Sequence, residues 1–97
     1  MKGIFAAHAL AHELNLVQTC SCCPEQYDVF YDGEQVGYMR LRHGTFRVEC
    51  PGCGGELVFL STTLVSDAGS FRDEDEREMN MSWAKRAIAG WILDNRR

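Results

Sequence analysis

The 97-residue chain predicts an α+β domain: an N-terminal helix, a four-stranded antiparallel β-meander and a long C-terminal amphipathic helix packed on one sheet face. Three observations predict it. Side chains alternate in type through the middle of the chain and are interrupted by the Gly-containing turns Asp32-Gly33 and His43-Gly44. Trp83, Ala84, Ala87, Ile88, Trp91 and Ile92 recur on two adjacent rows at helical spacing. A composition that is 45% hydrophobic and 25% charged, in a chain this short, supplies one core and no second domain. Residues 1–97 are therefore one unit, with an added helix over 1–15, the meander over 22–62 and the last helix over 73–95.

The first segment, Ile4 to Ala11, is apolar but short, and it carries His8. It faintly resembles a signal peptide, yet it lacks the length, and the chain reads as cytoplasmic with five mostly reduced cysteines. His8 and His12 fall at i, i+4 with Glu13 adjacent, but this is not the HExxH order that places a general base beside zinc. A solvated helix face is the favoured reading.

In the meander, a two-residue loop at His43-Gly44 sets Leu41 opposite Phe46 and Met39 opposite Val48. That agreement supports the register, because a slip of one residue would turn these side chains to solvent. A three-residue loop ending in Gly33 aligns Tyr27 and Val29 with the same face. The expected apolar face is then Tyr27, Val29, Met39, Leu41, Phe46 and Val48, and the C-terminal helix is its cover. That helix opens on Asp73 and Glu76, an acidic variant of the capping box, with Glu74, Asp75 and Glu78 where the helix dipole favours negative charge. A calcium loop over Asp67, Asp73, Asp75 and Glu78 lacks the DxDxDG start. Burial of Trp83, Ile88, Trp91 and Ile92 is expected to supply much of the stability, with Trp91→Ala costing about 3–5 kcal/mol.

Cys20/Cys23 and Cys50/Cys53 have nearly the spelling of a zinc ribbon, and four thiolates around Zn²⁺ is the alternative assignment. The strand count opposes it. A ribbon has two strands between its knuckles, whereas three are expected here, so the pairs should separate to opposite ends of a sheet about 20 Å long. No metal site is therefore assigned, and Pro51 to Gly55 is read as the turn into a fourth strand, Leu57 to Ser61.

The other sheet face carries Phe30, Val36, Tyr38, Arg40, Arg42, Arg47 and Glu49. Arg40 is expected directly opposite Arg47, a like-charge pair that calls for an acid, either internal (Glu49 or the Asp67 to Glu78 segment) or external. An ordinary solvated antiparallel face is the favoured reading, and Tyr38, Arg40, Arg42 and Arg47 are the candidate binding residues if the face is used for contact. A net charge of −4 does not suit phosphate-backbone binding, so a nucleic-acid partner is not expected. No run of apolar residues is long enough to span a bilayer. No nucleophile order, phosphate-cradling glycine loop or dinucleotide fingerprint is present, so no enzyme and no cofactor are expected.

The runs Cys-Cys-Pro-Glu-Gln-Tyr-Asp-Val (22–29), Gln-Val-Gly-Tyr-Met-Arg-Leu-Arg-His-Gly (35–44), Phe-Arg-Val (46–48), Gly-Gly-Glu (54–56) and the Asp-Glu-Arg opening of the last helix resemble a group of small uncharacterised phage and prophage proteins. The resemblance covers residues 22 to about 92 and implies a mobile-element origin without any assigned chemistry. Together, these features suggest a non-catalytic interaction protein that inhibits or redirects a host protein, of the anti-defence or anti-CRISPR type. The alternatives are a zinc-ribbon adaptor in transcription or replication using Cys20, Cys23, Cys50 and Cys53, and an assembly component acting as a homo-oligomer.

Overall fold

The computed structural model describes residues 2–19, 25–62 and 71–95, with the side chains of 2–5 outside that description. The order is α1 (Lys2–Ala11), β1 (Asn15–Gln18), β2 (Gln26–Tyr31), β3 (Glu34–Arg42), β4 (Thr45–Cys50), β5 (Glu56–Thr62) and α2 (Glu74–Asn95). All five strands pair antiparallel in sequence order. The α+β class holds, but the sheet has five strands rather than four, and the first helix stops at Ala11 rather than continuing to 15. The extra strand is only Asn-Leu-Val-Gln, half-buried at Leu16 alone, too short for an alternating pattern to register. No helix among the described residues is long and apolar enough to cross a membrane.

Both tight hairpins turn on a pair of residues with positive φ: Asp32 (53°) with Gly33 (81°), and His43 (53°) with Gly44 (75°). This geometry matches the twist of the flanking strands. The chain reversal at His43-Gly44 gives Met39↔Val48, Arg40↔Arg47 and Leu41↔Phe46, as the apolar pattern requires. The earlier turn departs from expectation. Its loop has two residues, with Tyr31 opposite Glu34, and a β-bulge then restores the pairing of Tyr27 with Met39. The bulge does the work assigned to a third loop residue, and the same apolar face results. It also moves Val36, expected on the outer face, into the core, where it is 2% exposed. A second bulge between Val48 and Glu49 lets Val58 pack against the core in the same way.

The core lies between the sheet and α2, which touches β3, β4 and β5, while α1 packs on α2. Val29, Met39, Leu41, Phe46 and Val48 are fully enclosed on the sheet side, and Ala84, Ile88 and Ala89 on the helix side. Phe46 is flanked edge-on by Phe59 and Phe71. The closest approach is at Gly37, where a Cβ would stand 2.8 Å from the Ile88 terminal methyl. A side chain there would force the Ile88 terminal methyl to shift.

The start of α2 is capped as its sequence predicts. Glu76 N–H donates to the Asp73 carboxylate at 2.8 Å, and the Glu76 carboxylate accepts from Arg72 N–H at 2.7 Å. The stripe itself is rotated from its expected position. Met81, Ala84, Ile88 and Ile92 face the core, whereas Trp83 is 45% exposed and Trp91 is half-buried. Trp91 leans on the core edge and donates its indole N–H to Glu56 at 3.3 Å, and Trp83 tilts against Phe59. The two indoles border the sheet because its centre is already filled by Ile88 against Gly37. The cost expected for losing Trp91 therefore belongs to Ile88.

Candidate functional site

With α2 on one side of the sheet, neither described helix covers the other side. The pairings lay out two rows across it: Gln26, Arg40, Arg47 and Leu60, then Val17, Asp28, Tyr38, Glu49 and Leu57. Tyr38, Arg40, Arg42 and Arg47, the sequence-predicted site residues, all stand on this side because they share strand parity. The structure gathers Tyr38, Arg40 and Arg47 around Glu49 and leaves Arg42 exposed at the turn end of β3.

Arg40 faces Arg47 directly, as expected, and Glu49 is the acid that makes the pair tolerable. Arg47 Nη2 lies 3.3 Å from Glu49 Oε2, and Gly54 N–H donates to Glu49 Oε1 at 3.0 Å. The Gly54 amide, and after it the Arg47 and Arg40 guanidiniums, hold the Glu49 carboxyl below its ordinary range despite its desolvation. Tyr38 is 8% exposed, and burial raises its hydroxyl pKa while neighbouring Arg40 works the other way. Arg40 Nε is enclosed and has no hydrogen-bond partner among the described residues.

The turn Pro51 to Gly55 closes one end of this belt. It leaves β4 and bends back so that Gly52 approaches the Gln35 side chain and Gly54 reaches Glu49. Gly55 permits the bend, since a Cβ there would fall 2.3 Å from the Cys50 carbonyl oxygen. This confirms Pro51 to Gly55 as the turn into the last strand, Glu56–Thr62.

The same turn bears on the cysteines. Cys50 shares parity with Phe46 and Val48, is 1% exposed within the core, and burial first and Glu56 second push its thiol up to about 12. Cys53 is exposed, with its thiol on the Tyr38 side. The two sulfurs occupy opposite sides of the sheet, whereas ligands of one ion converge on it. Cys20, Cys22 and Cys23, like most of the Asp67 to Glu78 segment's first half, lie outside the described residues. The register does carry Cys50 to the end of the sheet opposite the start of β2 at Gln26. Among the described residues, no group of three or more His, Cys, Asp or Glu is placed to hold a metal.

Flanking the charged belt are three of the exposed large aliphatic side chains, Val17 on one edge strand and Leu57 and Leu60 on the other. Sequence reasoning missed them. Val17 fell in an unrecognised strand, and Leu57 and Leu60 were hidden inside the apolar run Leu-Val-Phe-Leu, whose bulge changes parity midway. Comparison of the chain with family models, with curated proteins and with solved structures returned no match.

Proposed function

We propose that the protein is a non-catalytic interaction protein of phage or mobile-element origin that binds a host protein through its helix-free sheet face and inhibits or redirects it. The observation that supports this reading most is the make-up of that face. Val17, Leu57 and Leu60 remain exposed on both sides of a belt in which Tyr38, Arg40, Arg47 and Glu49 are already ordered. Exposed aliphatics cost solubility without adding to the fold, and a pre-ordered arginine and tyrosine centre is what protein interfaces use as anchors. The exposed part of Arg47 suits a partner that brings a carboxylate or a carbonyl oxygen. The mobile-element origin rests on the resemblance across residues 22 to about 92.

The test is capture from host lysate with the purified chain, alongside a Leu57→Asp/Leu60→Asp variant that keeps the melting curve. One host protein retained in stoichiometric amount by the first and lost with the second is the expected result. Equal capture by both, or none by either, would remove this face from the reading. Elemental analysis of the untagged chain separates the zinc-ribbon adaptor from it: one zinc per chain, lost together with the fold on chelation, would put the adaptor first.

A further inference from the structure

On the helix side of the molecule, away from the sheet face, α1 and α2 part to leave a cleft of about 370 Å³ lined by His8, His12, Arg77, Lys85, Arg86 and Glu78 over an apolar floor. We propose that this cleft binds a small phosphate-bearing molecule with an apolar body.

Helical spacing builds the two walls of the cleft. On α2, Arg77, Met81 and Lys85 form one i, i+4 row and Glu78, Ser82 and Arg86 the next, so both rows border the cleft for its full length. On α1, His8 and His12 form the facing row, with ring centroids 4.8 Å apart and planes nearly perpendicular. Of the chain's ten Lys and Arg and three His, three and two respectively line this one cleft, although the net charge is −4. The concentration is against the background of the chain.

The pairing of these charges then matters. Arg77 is committed: its Nε lies 2.9 Å from Glu25, its Nη2 donates to Tyr27 at 2.8 Å and its Nη1 lies 3.3 Å from Glu74. Lys85 and Arg86 have no carboxylate partner among the described residues. An ammonium, a guanidinium and two imidazoles entering from two helices present donors from several directions, which suits a tetrahedral group with three terminal oxygens better than a planar carboxylate. Ala11, Leu16 and Met81 supply the apolar floor, and Ser82 and Glu78 can take a hydroxyl of the ligand. The cleft volume is in the range of small-ligand sites.

The experiment follows the ring and amide signals of the full chain by NMR during titration with inorganic phosphate and, separately, with phenyl phosphate. Saturable shifts confined to His8, His12, Ser82, Lys85 and Arg86 are expected, with phenyl phosphate the tighter of the two because only it uses the floor. Lys85→Gln/Arg86→Gln should weaken binding by about tenfold or more. His8→Asn/His12→Asn does the same from the opposite helix, so a folding defect in one variant does not remove the test. Equal affinity for the two probes would mean a site for free phosphate and would overturn the apolar-body part. Shifts that fail to saturate, that spread over the surface, or that persist unchanged in both double variants would overturn the site.

Discussion

The two faces of the sheet are built from the same strands and differ in almost every physical respect. Beneath α2, Val29, Met39, Leu41, Phe46 and Val48 are 0% exposed, and every one is apolar. On the opposite face, residues one position away bring two arginines into register and then need Glu49 and a folded-back turn to hold them. The first face is explained by burial alone. The second is not: a like-charge pair and three exposed aliphatics add little to stability, and they are the basis of the contact surface proposed above.

The sharpest contrast is in thiol chemistry. Cys50 belongs to the covered face and Cys53 to the other. With its thiol pushed up to about 12, Cys50 is ionised in only about one molecule in ten thousand at pH 8. Alkylation followed by peptide mapping should label Cys53 at once and Cys50 only after unfolding. Rapid labelling of both in the folded protein would show that the β4 end is not closed as described.

Next in size are losses of packing. Ile88→Ala should cost about 2–5 kcal/mol in denaturant unfolding, since Ile88 is enclosed and seated on Gly37. Trp83→Ala should cost about 1 kcal/mol or less, because the indole is 45% exposed at the border. A reversed order would mean that α2 is rotated to the position its tryptophans suggest.

How far the sequence could be read follows from the same contrast. Where a turn or a cap pins an element in place, the reading holds. The Leu41/Phe46 and Met39/Val48 pairs locate the second hairpin, and Asp73 with Glu76 locates the start of α2. Where a one-residue irregularity intervenes, it fails. The bulge opposite Val29 and Phe30 sends Val36 inward, and the one opposite Val48 and Glu49 leaves Leu57 and Leu60 outside. Bulges have no fixed residue signature, so their parity change is invisible until the partner strand is known. The helix stripe was misplaced for another reason. Size drew attention to Trp83 and Trp91, whereas the space over Gly37 accepts an isoleucine. Of the site, Tyr38, Arg40 and Arg47 were legible as a shared face with Glu49 as the acid, but their aliphatic border was not.

A smaller effect comes from the charged belt. Glu49→Gln leaves Arg40 and Arg47 facing each other with no anion between them, and should cost on the order of 1–2 kcal/mol. Arg47→Gln in the same chain should recover part of that loss. The sign of the pH dependence follows from the direction of the shift. The Glu49 carboxyl is held below its unfolded value, so its contribution is complete above the ordinary glutamate range near pH ~4.3. It disappears as the pH falls through the lower folded value. Between pH 5 and lower values, the wild-type chain should lose this increment while Glu49→Gln does not, which a pair of pH-dependent unfolding series would show as converging curves. Parallel curves would mean that the arginines are neutralised by something other than Glu49.

The least change in stability is expected where the functional consequence is greatest. Leu57 and Leu60 are 43% and 51% exposed on the outermost strand, so Leu57→Asp/Leu60→Asp should shift unfolding by no more than about 0.5 kcal/mol per site. Aspartate is poorly suited to strands; at position 60 the cross-strand Arg47 offsets part of that cost, whereas at position 57 the cross-strand Glu49 adds to it. A fold that survives while partner capture is lost separates the two faces by function as cleanly as burial separates them by structure. If the double substitution unfolds the chain instead, the outer face carries stability after all, and the distinction drawn between the faces collapses.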